Sequence, residues 1–270
     1  QAAINVDNPS RIALYNNYQD CIGSDLHLEG CISQRKGVTL KSKIRLVDKN
    51  GKEDEKTSAL FEREWFYNYC DLSLDSRWYG HSLIQFGDVV QTSDGLIFSG
   101  VELVPRKYVI PEHGVIVRQV GDDWRNGISY RDGDFADWCL EVGKPTDLGL
   151  LLKCAPQCIS KKNMLGFWDM FGEIFGAPMR IAKMTTSDEN ERKQIEDALD
   201  NMGSAFWGLF PDGTDIEIKE SSRGDAYNVF DKRVDRCNSE ISKGILNQTM
   251  TIDSGSSLSQ SETHLEVFEN

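Results

Sequence analysis

No stretch of about 18 uncharged apolar residues occurs anywhere in this sequence, so no helix of it can span a bilayer with its backbone satisfied. Positive charge is also short. Thirty Lys and Arg stand against 43 Asp and Glu, a formal charge of -13, and such a surface repels a phosphate backbone instead of condensing on it. Tight, general DNA binding by a single copy is excluded on that balance. The sequence has no Gly-x-Ser-x-Gly elbow, no Gly-x-x-x-x-Gly-Lys and no Gly-x-Gly-x-x-Gly, so three chemistries lose their usual marker. Histidine is scarce: His27, His81, His113 and His264 are scattered, none at ligand spacing from another or from a Cys-x-x-Cys, which argues against a zinc site. His81 and His113 read instead as packing or surface residues of a sheet. The opening Gln1-Ala2-Ala3 shows no basic segment followed by an apolar one, and both ends read as cut from a longer chain.

What is present suffices for a folded protein. In 270 residues, 39% are hydrophobic and 10% aromatic, enough for one large core or two smaller ones and incompatible with global disorder. The seven cysteines (Cys21, Cys31, Cys70, Cys139, Cys154, Cys158, Cys237) are odd in number and irregularly spaced, in a chain too large to need staples. They read as reduced, mostly buried thiols of a cytosolic protein, with Cys154 and Cys158 on one helical face.

Asn8-Pro9 reads as a helix start, with Ile12, Tyr15, Tyr18 and Ile22 at helical spacing behind it. A second helix is expected over Asp25 to Arg35, buried through Leu28, Cys31 and Ile32. Val38 to Val47 reads as a strand leading into a hairpin at Asp48-Lys49-Asn50-Gly51. Residues 58–73 read as a helix buried through Phe61, Trp65, Tyr69 and Leu72, ending at Tyr79-Gly80. Ser82 to about Val120 has the Gly and Pro punctuation of short antiparallel strands, and Gly121 to Lys144 reads as a long loop or sheet edge. Further on, Met164, Phe167, Trp168, Phe171, Ile174 and Phe175 form a wide apolar stripe on a helix ended by Gly176-Ala177-Pro178. Thr186 and Glu189 fit a capping box for a helix buried through Ile195, Leu199 and Met202. Pro211-Asp212-Gly213 reads as a turn into a strand at Ile216 and Ile218. Phe230, Val234, Cys237 and Ile241 repeat at the spacing of a helix-packing seam, and Asp253 to Ser261 reads as a mobile loop. The class expected is α+β.

Two constellations could carry chemistry. Asp132, Asp134 and Asp137 could hold a hard cation but lack the glycine and terminal glutamate of a calcium loop, so a solvated acidic loop explains them better. Asp212, Glu217 and Lys219 are the residue types of a metal-dependent nuclease, yet four residues between Asp212 and Glu217 leave little chain for a separate strand. A turn entering an exposed strand explains every residue there and is the better reading. A third reading is an adaptor that binds a partner by strand addition at Ile216 and Ile218.

One set of segments carries a resemblance. Phe175-Gly176-Ala177-Pro178-Met179-Arg180, a capped helix, Phe210-Pro211-Asp212-Gly213, then Asp231 to Ser242 and Ile245-Leu246-Asn247-Gln248-Thr249-Met250-Thr251 resemble the portal proteins of Mu-like tailed phages and prophages in order and spacing. The family usually has Gly where this chain has Asn247; Gly255-Ser256 and His264 match its later pattern loosely. Asp25-Leu26-His27-Leu28 with Gln34-Arg35-Lys36, Tyr79-Gly80-His81-Ser82 and Val104-Pro105-Arg106-Lys107 are similar to earlier family segments.

The resemblance implies a virion protein, assembled in the cytoplasm of the bacterial host. It implies a ring, typically of twelve subunits, at one capsid vertex, through which double-stranded DNA passes without sequence specificity. Its implied partners are sister copies, the terminase large subunit, the head–tail connector and the capsid or scaffold, with no membrane, no cofactor and no catalytic residue. In that layout residues 1–160 form a wing and 161–178 a first stem helix. Residues 179–222 form a small α/β clip, 223–247 a second stem helix and 248–270 a tunnel-loop region. The implied stem interface is Phe167, Trp168, Phe171, Phe175, Phe230, Val234 and Ile241, and the tunnel loop holds Gln248, Thr249, Ser256 and Ser257. The missing amino-terminal and crown parts agree with the cut ends. Independently, about 40 residues rarely bury enough surface alone, so 179–220 should need neighbouring copies. A charge of -13 per chain, repeated around a ring, makes an annulus through which DNA slides.

Overall fold

The computed structural model describes residues 2–93, 95–176, 180–185, 188–201, 207–211 and 223–248, with 174–176, 180, 181, 184, 207 and 223–227 as backbone only. The class is α+β. Two compact units share the chain: Gln1–Ile159 with Asn238–Asn270, and Ser160–Cys237.

The first unit opens with α1 (Ile12–Ser24), which buries Tyr15, Tyr18 and Cys21 at steps of three. It begins after Arg11, and Asn8-Pro9 does not cap it. The reason is tertiary: the buried Arg11 guanidinium donates to Glu112 Oε1 at 2.6 and 2.9 Å, to the Asp147 carbonyl at 2.8 Å and to the Pro145 carbonyl. Asp25 ends α1 and caps α2 (Leu26–Leu40), its Oδ1 accepting from the amides of His27 and Leu28 at 3.1 and 3.2 Å. Leu28, Cys31 and Ile32 are buried as expected.

The expected strand from Val38 is absent, because α2 continues to Leu40 and only an isolated Val47–Glu53 bridge follows. Contacts outside the local sequence hold α2 helical: Lys36 bonds Asp71 at 2.7 Å and Asp75 at 2.9 Å, and Arg35 donates to the Ile245 carbonyl. The turn itself forms, with Asp48 Oδ1 accepting from the Asn50 and Lys52 amides. A short α3 (Glu55–Ser58) and a 3-10 turn at Ala59–Glu62 precede α4 (Glu64–Tyr79), so the single helix expected over 58–73 is broken before Glu64. Its aromatics are half-buried and meet one another: Phe61 and Trp65 ring centres lie 5.7 Å apart, and Trp65 and Phe98 5.3 Å apart. Gly80 ends α4 at φ +86, where a Cβ would collide with the Asp147 carbonyl.

Eight short strands follow: β1 (His81–Phe86), β2 (Val89–Gln91), β3 (Leu96–Phe98), β4 (Val101–Leu103), β5 (Val109–Ile110), β6 (Val115–Ile116), β7 (Ile128–Ser129) and β8 (Cys139–Gly143). They pair antiparallel as β4-β1-β8, β5-β6-β7 and β2-β3. In the first sheet Ile84 faces Leu103 on one side and Leu140 on the other. Residues 121–144 are thus no continuous loop; they contain β7, the helix α5 (Asp134–Trp138) and the sheet-edge strand β8. The strand was hard to read because Glu141 sits in its middle and Gly143 at its end.

Next come α6 (Leu151–Gly176), β9 (Arg180–Met184), α7 (Glu189–Asp200), β10 (Trp207–Pro211) and α8 (Arg223–Leu246). Leu151, Cys154, Ala155 and Cys158 of α6 and Ile241, Ile245 and Leu246 of α8 close the main core with α1, α2 and Trp78 of α4. Each large side chain sealed there is worth about 1.5–3 kcal/mol. All seven cysteines are free; five are buried, and burial pushes the Cys154 thiol up to about 11, so it is inert at neutral pH.

In the second unit β9 and β10 pair in parallel, Arg180 opposite Trp207 and Met184 opposite Pro211, with α7 as the crossover that parallel strands require. Asp188, not Thr186, caps α7: its Oδ1 accepts from the Asn190 amide at 2.9 Å. Leu199 is buried and Ile195 half-buried; Thr186 and Met202 lie outside the described residues.

Candidate assembly surface

His81, 2% exposed, faces Glu141 at 3.0 Å, and Glu141 also accepts from Tyr130 at 2.7 Å and from Arg131 at 2.7 and 2.9 Å. Burial pushes His81 down to about 4 against the pull of Glu141. Burial also raises Glu141, but bonds from Arg131 and Tyr130 outweigh it and leave the carboxyl below its ordinary value. The result is a neutral imidazole beside an ionised carboxylate whose lone pairs are taken by the fold. It is a structural knot. His113 stacks on Trp124 with ring centres 3.9 Å apart, and His27 Nε2 bonds Ser242 Oγ at 2.8 Å. Among the described residues no group of three or more His, Cys, Asp or Glu could hold a metal ion, and Asp132, Asp134 and Asp137 stand exposed. Asp212, Glu217 and Lys219, with Ile216 and Ile218, lie outside the described residues.

The helices of the second unit differ in kind. Residues of α6 and α8 meet where the rings of Phe171 and Phe230 lie 5.9 Å apart and where Arg233 donates to Ser160 Oγ at 2.8 Å. Trp168, Phe171, Phe230 and Val234 are half-buried, and Cys237 is sealed. Phe167 remains 53% exposed and Met170, three residues on and so on the same helix face, 55% exposed. Leu165 and Val229 are exposed as well. Ile241 departs from the expected interface: at 0% exposure it belongs to its own chain's core with Tyr18 and Trp78, out of a second copy's reach. The side chain of Phe175 and residues Thr249, Ser256 and Ser257 lie outside the described residues, whereas Gln248 is half-buried just past the end of α8. Met170 was missed in the sequence reading; its position three residues after Phe167 was the available signal.

At the end of α8, Asn247 takes φ +60, the one non-glycine with positive φ among the described residues. A left-handed residue there is the ordinary way to end a helix, and Asn is the residue after Gly that tolerates it best. The position where the resemblance expected Gly is therefore a position that needs what Gly supplies.

Compared with known proteins, the sequence matches the family described as the portal protein of Mu bacteriophage over residues 15–270. The chain belongs to that family. A portal protein of Escherichia phage Mu is 31% identical over 100 residues, a match that covers 36% of this chain and 19% of that relative. Among the described residues no helix is long and apolar enough to cross a membrane.

Proposed function

We propose that this portal-family chain builds a closed ring of about twelve copies at a capsid vertex, a conduit for double-stranded DNA without sequence specificity. In this reading terminase and the head–tail connector dock on the ring, the capsid surrounds it, and assembly takes place in the cytoplasm of the bacterial host. The wing takes residues 1–160, the stem helices 161–178 and 223–247, the clip 179–222 and the tunnel-loop region 248–270. Phe167, Trp168, Phe171, Phe175, Phe230 and Val234 are its stem interface and Gln248, Thr249, Ser256 and Ser257 its tunnel loop. It performs no catalysis; Asp212, Glu217 and Lys219 serve the clip.

The observation that carries the reading is the half-exposed Phe167–Met170 face of α6 in a chain of this family. Exposed aromatic and thioether side chains are costly to a monomer and useful at a contact between copies. The parallel β9-α7-β10 unit favours it too, since two strands and one helix bury little by themselves.

Mass photometry and electron microscopy of the natural gene product test the reading. Closed rings are expected. Phe167→Asp with Met170→Asp should remove them while monomer stability shifts by less than about 0.5 kcal/mol, as at other exposed sites. Strict monomers of the natural gene product at micromolar concentration would refute it.

A further inference from the structure

A groove of about 570 Å3 opens in the first unit between the carboxyl-terminal end of α2 and the first turns of α4. Leu40, Ile44, Phe61, Phe66, Tyr67 and Leu74 line it, and Lys41 and Lys43 stand exposed among the lining residues. Ile44 and Tyr67 are themselves exposed, so the apolar floor reaches the surface. The opening lies where the expected strand is absent: α2 runs on to Leu40, and residues 41–46 then cross the surface outside any sheet.

The same unit carries a projection of complementary character. Every residue from Arg131 to Trp138 is exposed. On α5, Phe135 is 40% and Trp138 42% exposed, and three residues of helix put both rings on one side. Neither ring meets another aromatic ring among the described residues. Asp132, Asp134 and Asp137 surround them, and Gly133 at φ +68 starts the helix. The projection is aromatic and acidic; the groove is apolar, with Lys41, Lys43 and Arg63 against Glu62 at its border, a net positive rim. In a chain of net charge -13 this rim is net positive, and the chain's own α5 has the opposite sign.

We propose that the groove receives α5 of a second copy of this chain, Phe135 and Trp138 entering beside Leu40, Ile44 and Phe66 while Asp134 and Asp137 face Lys41 and Lys43. The contact joins two different patches, so it is heterologous and propagates from copy to copy until a rotation closes it. With 40% and 42% of their surface still exposed, Phe135 and Trp138 bring about 60–100 Å2 each to the contact, up to about a quarter of the roughly 800 Å2 per partner of a stable interface. Opposite charges at the border select this register over the like-charged alternatives. The inference rests on the ring reading and names one of its contacts, in the first unit and apart from the helix face described above.

The test uses the natural gene product, with p-benzoylphenylalanine at position 135 and a mixture of isotopically light and heavy copies. Irradiation should give cross-links between light and heavy chains, mapped to the 39–44 and 61–74 segments. Asp134→Lys with Asp137→Lys should cut their yield about tenfold, and a partner carrying Lys41→Asp and Lys43→Asp should restore it. Rings that form without cross-links to these segments, or with a yield indifferent to both charge reversals, overturn the contact and leave the ring reading standing. A gene product that never self-associates overturns both.

Discussion

Acid should destabilise the first unit, chiefly through His81. His81 is sealed in β1, facing Glu141 at 3.0 Å and Tyr130 at 3.4 Å, with Arg11 and Arg106 close enough to disfavour its cation. Burial holds it at about 4, whereas an unfolded histidine titrates near 6.5. Between those values the unfolded chain binds the extra proton, so stability rises with pH there: the contribution is whole above about 6.5 and is lost as pH falls toward 4. Two and a half units correspond to about 3 kcal/mol in all, of which about 2 kcal/mol disappears between pH 7.5 and pH 5. Glu141, whose carboxyl lies below its ordinary value, adds loss in the same direction only at lower pH. Urea unfolding followed by tryptophan fluorescence at both pH values, in the native chain and in His81→Gln, measures the difference. The native chain should lose about 2 kcal/mol more than the variant over that interval. Equal losses would refute the claim that a buried neutral imidazole sits in this sheet.

Two further substitutions probe the same unit. Arg11→Met strands the Glu112 carboxylate and removes donors from the Asp147 and Pro145 carbonyls, so it should cost about 3 kcal/mol or more; adding Glu112→Leu should recover part of that in a double-mutant cycle. Gly149→Ala forces a Cβ against the Trp78 carbonyl at φ +77 and should destabilise by about 2 kcal/mol or more, whereas Gly30→Ala, exposed on α2 with open space around it, should stabilise by about 0.5–1 kcal/mol. Thermal melts that move the same way for both glycines would contradict the backbone argument.

Where a residue's signal is local, the sequence was legible. The start of α2 at Asp25, Gly80 as a stop, the Leu28–Cys31–Ile32 face and the cysteines at 154 and 158 all follow from spacing within one turn or two, and all are found within a residue. The family resemblance rested on the order and spacing of motifs, with Asn247 a departure from it; the left-handed backbone at that position shows why the departure is tolerated. The start of α1, the extension of α2 through Val38 and the capping of α7 were misread, and the first two share a cause. Arg11, Arg35 and Lys36 find partners more than 30 residues away, and those bonds outweigh local propensity.

Composition, periodicity and the placement of glycine therefore determined the class and most of the helices, because each acts through neighbours along the chain, while the family came from the resemblance of motif order. Tertiary structure alone decided that Ile241 is core while Phe167 and Met170 face outward, that Glu141 joins three donors in one knot, and that a groove and a projection of opposite character occupy the same unit. Exposure and juxtaposition are properties of the packed solid: two helices with equally apolar stripes differ only in what happens to lie against them.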